Sequence, residues 1–149
     1  MAGQLIGSRF LDSFLALDEQ QQTLRCGAGV KLGDILKVCL PRGLFLPVLP
    51  GTKAVSVGGA IAADVHGKNH HRDGSFCQHV IQISLVLASG EVVSCSATQN
   101  QELFRASCGG MGLTGAIVEA TLRLAAVPSR YIDQRGLFAY KLQECFSHS

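Results

Sequence analysis

The stretch Val57-Gly58-Gly59-Ala60-Ile61-Ala62-Ala63-Asp64-Val65-His66-Gly67-Lys68-Asn69-His70-His71 joins a glycine pair, a run of small residues and a polar cluster within one short segment. Paired glycines followed by alanines let a backbone pass close to a bulky partner and present N–H groups to it, where larger side chains would intrude. A flat cofactor carrying a diphosphate suits such a wall. Pro50-Gly51-Thr52 opens the segment and Asp73-Gly74-Ser75 closes it, so turn chemistry brackets it on both sides.

Working outward, short extended runs flank the segment. Phe14–Leu17 and Thr23–Cys26, separated by the polar turn Asp18–Gln21, predict a hairpin whose second strand ends at Gly27 and Gly29. Leu32, Ile35, Leu36 and Leu40 recur at helical spacing, which predicts a helix over Lys31 to Leu40, stopped by Pro41 with Gly43 beyond. Val80 to Leu87 alternates with strand period and turns through Ala88–Glu91 into Val92–Cys95, a second hairpin. Thr98–Gln101 offers a capping box for a short helix over Glu102–Ser107, and Ala116 to Leu124 predicts a last strand. Strand pairs with intervening helices give an α+β fold with a largely antiparallel sheet rather than a βαβ series.

Gly110-x-Gly112-x-x-Gly115 satisfies a dinucleotide-binding spacing, but that loop works when it follows a strand and opens a helix. Here a helix precedes it and a strand follows. The expectation is a glycine-rich turn that lets neighbouring elements pack closely.

The chain has 149 residues, 47% hydrophobic and 16% charged, enough for one domain with a core and unlike a disordered chain. A net charge of +2 with scattered basic residues gives no nucleic-acid groove and no polybasic membrane anchor. No apolar run reaches the length of a membrane span, so a cytoplasmic location is expected. Cys26, Cys39, Cys77, Cys95, Cys108 and Cys145 show no C-x-x-C spacing and are expected as buried free thiols. His66, His70 and His71 raise two further readings, a metal site built from converging imidazoles or a polar surface turn. Glycines around them argue against a helix there.

The runs CGAGVKLGDILKVCLPRGL (residues 26–44), LFLPVLPGTKAVSVGGAIAADVHGKNHHRDGSFCQHV (44–80) and GGMGLTGAIVEATLRL (109–124) resemble the FAD domain of flavin-dependent oxidoreductases of the vanillyl-alcohol-oxidase type, also termed PCMH-type. The resemblance runs from about Leu15 to Pro128 and implies a partial FAD-binding domain over residues 1–128, with residues 129–149 opening a following segment. It places Gly51, Ser56, Val57, Gly58 and Gly59 at the cofactor and its diphosphate, and Ala63, Asp64, Val65 and His66 near the isoalloxazine ring. It also sets Ile117 and its glycine loop against the adenine end. His66 takes a catalytic role at flavin or substrate, and Lys68 and Asn69 either face substrate phosphate or hold the loop.

The implied activity is removal of hydride from a sugar or alcohol carbon by FAD. A polyprenyl-phosphate ribose is the substrate in one branch, where an NAD-dependent reductase partner completes an epimerisation. A lipid-linked substrate would bring the protein to a membrane surface. The family's upstream diphosphate-clasping loop and its substrate domain are not found in this sequence. A fragment that holds FAD poorly by itself is therefore expected. The rival readings are a noncatalytic remnant or a metal-binding module using His66, His70 and His71.

Overall fold

Asp18 begins the first turn by accepting N–H groups from Gln20 at 2.9 Å and Gln21 at 2.8 Å through its Oδ1, and Gln22 completes it at φ 53°. This Asx-type turn joins β1 (Phe14–Asp18) to β2 (Thr23–Gly27) as an antiparallel hairpin. The computed structural model describes residues 7–134 and, beyond them, 136, 138, 141 and 143. The expected second hairpin forms from β4 (Val80–Val86) and β5 (Val92–Ser96) around Gly90, whose φ of 85° suits glycine.

β6 (Ala116–Arg123) unites the two hairpins. It inserts between β2 and β4, giving one antiparallel sheet in the order β1-β2-β6-β4-β5. Alternation along these strands buries Leu24, Cys26, Ile83, Leu85, Ala120 and Leu122 on one face. On the solvent side Arg25 of β2 pairs with Glu119 of β6.

Helices complete the core. α1 (Leu32–Cys39) buries Leu32, Ile35 and Cys39, and α2 (Val57–Ala62) buries Val57, Ala60 and Ile61. Pro41 does not stop α1 outright: it sits at the start of a 3-10 turn, Leu40–Arg42, which needs no N–H from it, and Gly43 ends that turn at φ 70°. A small second sheet pairs β3 (Leu44–Phe45) with β7 (Ala125–Ala126).

Two local expectations are corrected. The capping box before α4 (Gln101–Ser107) does not form: Asn100 is the N-cap in a left-handed conformation, φ 47°, and its side chain makes no cap bond. Asn100 Nδ2 instead donates to Ser94 O at 2.8 Å, while Ser96 Oγ accepts the N–H groups of Thr98 and Gln99, so the strand end outcompetes the cap. The histidine segment does contain helix, a single turn α3 (His70–Asp73), made possible because Asn69 Nδ2 ties Asp73 Oδ2 at 2.7 Å to Pro47 O at 3.0 Å. Residues 129–134 are exposed and carry no helix or strand.

Candidate functional site

The glycine pair lies at the start of α2, whose entry is fixed from below. Lys31 and Ser56 form an isolated antiparallel bridge, Val57 N–H donates to Val30 O at 2.8 Å, and Gly58 N–H donates to Ala28 O at 2.8 Å. Gly58 is a glycine for packing: a Cβ there would sit 3.0 Å from Ala28 Cβ and 3.3 Å from Ala28 O. Ala60 N–H is also committed, to Ser56 O at 2.8 Å. The expectation of consecutive N–H groups free for phosphate is therefore corrected. Only Gly59 N–H is held by an exchangeable partner, Ser56 Oγ at 3.3 Å.

Across from this segment runs the loop from Gly109 to Gly115. It follows α4 and leads into β6, the reverse of a Rossmann loop, as the sequence indicates. Four of its residues take positive φ: Gly109 at 75°, Met111 at 53°, Gly112 at 77° and Gly115 at 152°. A Cβ on Gly115 would lie 2.7 Å from Val86 O, so the loop can cross the end of β4 only with glycine there. Two bonds moor it to α2, Gly109 N–H to Ile61 O at 3.0 Å and Met111 N–H to Ala62 O at 2.8 Å. Ser107, buried at the end of α4, moors it again: its Oγ donates to Leu103 O at 2.7 Å and meets Thr114 Oγ1 at 2.8 Å.

Between the two walls lies a cleft of about 700 Å³, within the range that small-molecule sites occupy. Ser56, Gly58, Gly59 and Ala62 form one side, and Gly112 through Val118 with Val86–Ala88 form the other, with Ser8 at the rim. Among the described residues, none that lines the cleft carries a charge. Hydroxyls of Ser8, Ser56 and Thr114 are the polar side chains, and the remainder is small or aliphatic. Such a cleft accepts a flat ring by close approach and answers an anionic group with neutral donors.

Of the residues singled out in the sequence, Ser56, Gly58, Gly59 and Ile117 meet at this cleft. Val57 is fully buried beneath it. Gly51, Ala63 and His66 are exposed, Asp64 and Val65 half-buried, and these five do not line the cleft. Asp64 stands at φ 40° and its Oδ1 accepts Cys77 N–H at 2.9 Å; Val65 O accepts Phe76 N–H at 2.8 Å. His66 bridges to Ser75, its Nδ1 lies 3.3 Å from Gly67 O, and its ring stands edge-on to His70 at 5.2 Å. Among the described residues no three His, Cys, Asp or Glu side chains are grouped to hold a metal ion. Asn69 holds its loop, whereas Lys68 is exposed.

Ser8 and Val86–Ala88 were not legible as cleft residues. Ser8 carries no motif. Val86–Ala88 reads only as the end of a hairpin strand, and the glycine loop reaches it through the pairing of β4 with β6.

The family described as FAD binding domain matches residues 3–96. The chain belongs to it. The first half of the cleft wall, Ser56–Ala62, falls inside the matched region. This FAD-binding domain is 41% identical over 143 residues to the decaprenylphosphoryl-β-D-ribose oxidase of Mycolicibacterium smegmatis, an alignment covering 95% of the chain and 31% of the relative. It is 34% identical over 96 residues to the D-arabinono-1,4-lactone oxidase of Yarrowia lipolytica, covering 64% of the chain and 18% of the relative. Among solved structures it superimposes on 6-hydroxy-D-nicotine oxidase from Arthrobacter nicotinovorans with a TM-score of 0.72 at 27% identity, over 79% of the chain and 26% of that structure. The α+β fold is thus that of an FAD-linked oxidase domain, and its cofactor is FAD. The chain spans less than a third of the length of these relatives.

Proposed function

We propose that this domain supplies part of the FAD site of an oxidoreductase that oxidises a hydroxyl of a sugar or a related lactone-forming alcohol. The observation that carries the reading is the glycine-walled cleft between Ser56–Ala62 and Gly112–Val118, uncharged and of cofactor size, in a chain of the FAD-binding family. FAD, when bound, supplies the hydride acceptor and hence the redox chemistry. The chain's own residues do the rest. Gly59 and Gly112 leave the walls open to a ring system, Gly59 N–H and the Ser56 hydroxyl offer donors to an anionic oxygen, and Ile117 with Val86 and Leu87 excludes water.

His66 is read as a residue that orders substrate or hydrogen-bonds the flavin from the loop after α2, together with Ala63, Asp64, Val65 and the exposed Gly51. Its exposure and its place directly beyond the cleft wall support this. The finer reading takes a polyprenyl-phosphate ribose as substrate, favoured by the identity to the ribose oxidase, with an NAD-dependent reductase completing an epimerisation. A cytoplasmic protein would then meet its substrate at the membrane surface; no helix among the described residues is long and apolar enough to cross a membrane.

The test is anaerobic mixing of the full flavin-loaded protein with a polyprenyl-phosphate ribose, a free sugar and an aldose that closes to a lactone. Bleaching of the oxidised flavin band by one of them, slowed in His66→Ala with flavin content unchanged, is the expected result. A full protein purified without flavin, and unable to take it up, contradicts the reading.

A further inference from the structure

Gly27 and Gly29 read in the sequence as the end of β2, and the structure gives them a second task. The segment that precedes β1 crosses this end of the sheet at backbone distance. A Cβ on Gly27 would run into Leu11 O and a Cβ on Gly29 into Ser8 O, so only glycine lets the chain pass. Gly29 N–H donates to Leu11 O at 2.8 Å and Gly27 N–H to Ser13 O at 2.9 Å, while Leu11 N–H closes a turn onto Ser8 O at 2.9 Å. Residues Ser8–Ser13 are thus a strap fastened to the end of β2.

The residues beneath the strap are also the ones that seat α2. Ala28 O accepts Gly58 N–H and Val30 O accepts Val57 N–H, both at 2.8 Å, so Gly29, with the strap on it, lies between the two carbonyls that fix the glycine pair. Ser8 consequently meets Ser56, Gly58 and Gly59 at one cleft. Its neighbours on the strap turn elsewhere: the Arg9 guanidinium lies over the Phe10 ring at 5.2 Å, and neither residue lines the cleft.

The hydroxyls of the cleft differ in what they can still donate. Ser107 gives its proton to Leu103 O, so the Ser107–Thr114 bond uses the Thr114 proton. That leaves Ser8 and Ser56 as the hydroxyl donors, and among the described residues no hydrogen bond occupies Ser8 Oγ.

We propose that Ser8 is a cofactor-binding residue whose hydroxyl donates to a diphosphate oxygen of FAD, delivered by a strap that only Gly27 and Gly29 allow to lie on the segment seating α2. The proposal rests on the FAD reading of the cleft. Ser8 touches the cofactor, and Gly29 is a positioning residue that acts through it.

The full protein, stripped of flavin, is titrated with FAD, with ADP and adenosine as competitors, in the parent, Ser8→Ala, Ser8→Thr and Gly29→Ala. Ser8→Ala is expected to weaken FAD and ADP about tenfold, the scale of one hydrogen bond to a charged acceptor, and to leave adenosine unchanged. Ser8→Thr keeps the hydroxyl and should retain most of the affinity. Gly29→Ala should lose as much as Ser8→Ala, and the double variant no more than either alone, because both act through one hydroxyl. Ser8 is exposed, so its variants decide the matter even where Gly29→Ala does not fold. FAD affinity unchanged in Ser8→Ala, an equal loss for adenosine, or losses that add in the double variant overturn the proposal and leave the FAD reading standing. A parent protein that takes up no flavin overturns both.

Discussion

The two walls of the cleft are made of the same small residues yet are built in opposite ways. On the α2 side, Val57 and Ala60 are fully buried and the N–H groups of Val57, Gly58 and Ala60 all have internal partners. Its shape is set by packing and hydrogen bonding on Ala28–Val30, the segment that follows β2, and does not depend on a ligand. The opposite wall stands on positive-φ residues and projects its apolar side chains into solvent, Met111 at 72% and Leu113 at 92% exposure. Three moorings hold it, two from α2 backbone carbonyls and one through Ser107. A glycine in a sequence can therefore mean a packed backbone or an open surface, and only its neighbours decide which.

The sharpest way to break this contrast is to fill a glycine on each side. Gly58→Val drives a branched side chain into Ala28, and a loss of about 3 kcal/mol of unfolding free energy is expected in chemical denaturation. Gly112→Val meets no atom within 4 Å of its Cβ and suffers only from φ 77°, with a cost of about 1–2 kcal/mol. Equal losses at the two positions would remove the distinction between a packed wall and an open one.

Ser107→Ala tests the mooring. It deletes the bonds to Leu103 O and Thr114 Oγ1 at a buried position, so a loss of about 1–2 kcal/mol is expected. Faster hydrogen exchange should follow at residues 112–115 and not at residues 57–62. Protection changing equally on both walls would count against separate construction.

Ser56→Ala removes one donor and the exchangeable partner of Gly59 N–H. FAD affinity in the full protein should fall about tenfold, equivalent to roughly 1.4 kcal/mol, beside a loss of about 1 kcal/mol of stability, because Ser56 is also the N-cap of α2. Unchanged affinity would take Ser56 out of the site.

The smallest effect concerns pH. The Asn69 amide, then Arg72, holds the Asp73 carboxyl below its ordinary 3.8. A carboxyl depressed in the folded state contributes stability that is present above its unfolded value and fades as pH falls through the lower folded value. α3 should thus loosen only in acid below about pH 4. Carboxyl titration by NMR should show Asp73 returning toward its ordinary value in Asn69→Ala.

Both hairpins were legible because Asp18–Gln21 and Ala88–Glu91 are local turn signals, and α1 because Leu32 and Ile35 carry helical period. The place of β6 between β2 and β4 was not, since it depends on pairings such as Arg25 with Thr121 that no short-range pattern encodes. At the site, the run Ser56–Gly59 and Ile117 were legible through the resemblance. The commitment of Gly58 N–H to Ala28 O was hidden because phosphate binding and close packing both ask for glycine. The convergence of Cys77 Sγ and Gly109 N–H on the Ile61 carbonyl was equally hidden, because it joins segments far apart in the sequence.

A crystal structure of the full protein with FAD tests the central claim most directly. The account predicts cofactor density between Ser56–Gly59 and Gly112–Ile117, with an anionic oxygen at Gly59 N–H in place of Ser56 Oγ. FAD bound with this cleft empty, or contacting only the His66–His71 segment, would contradict it.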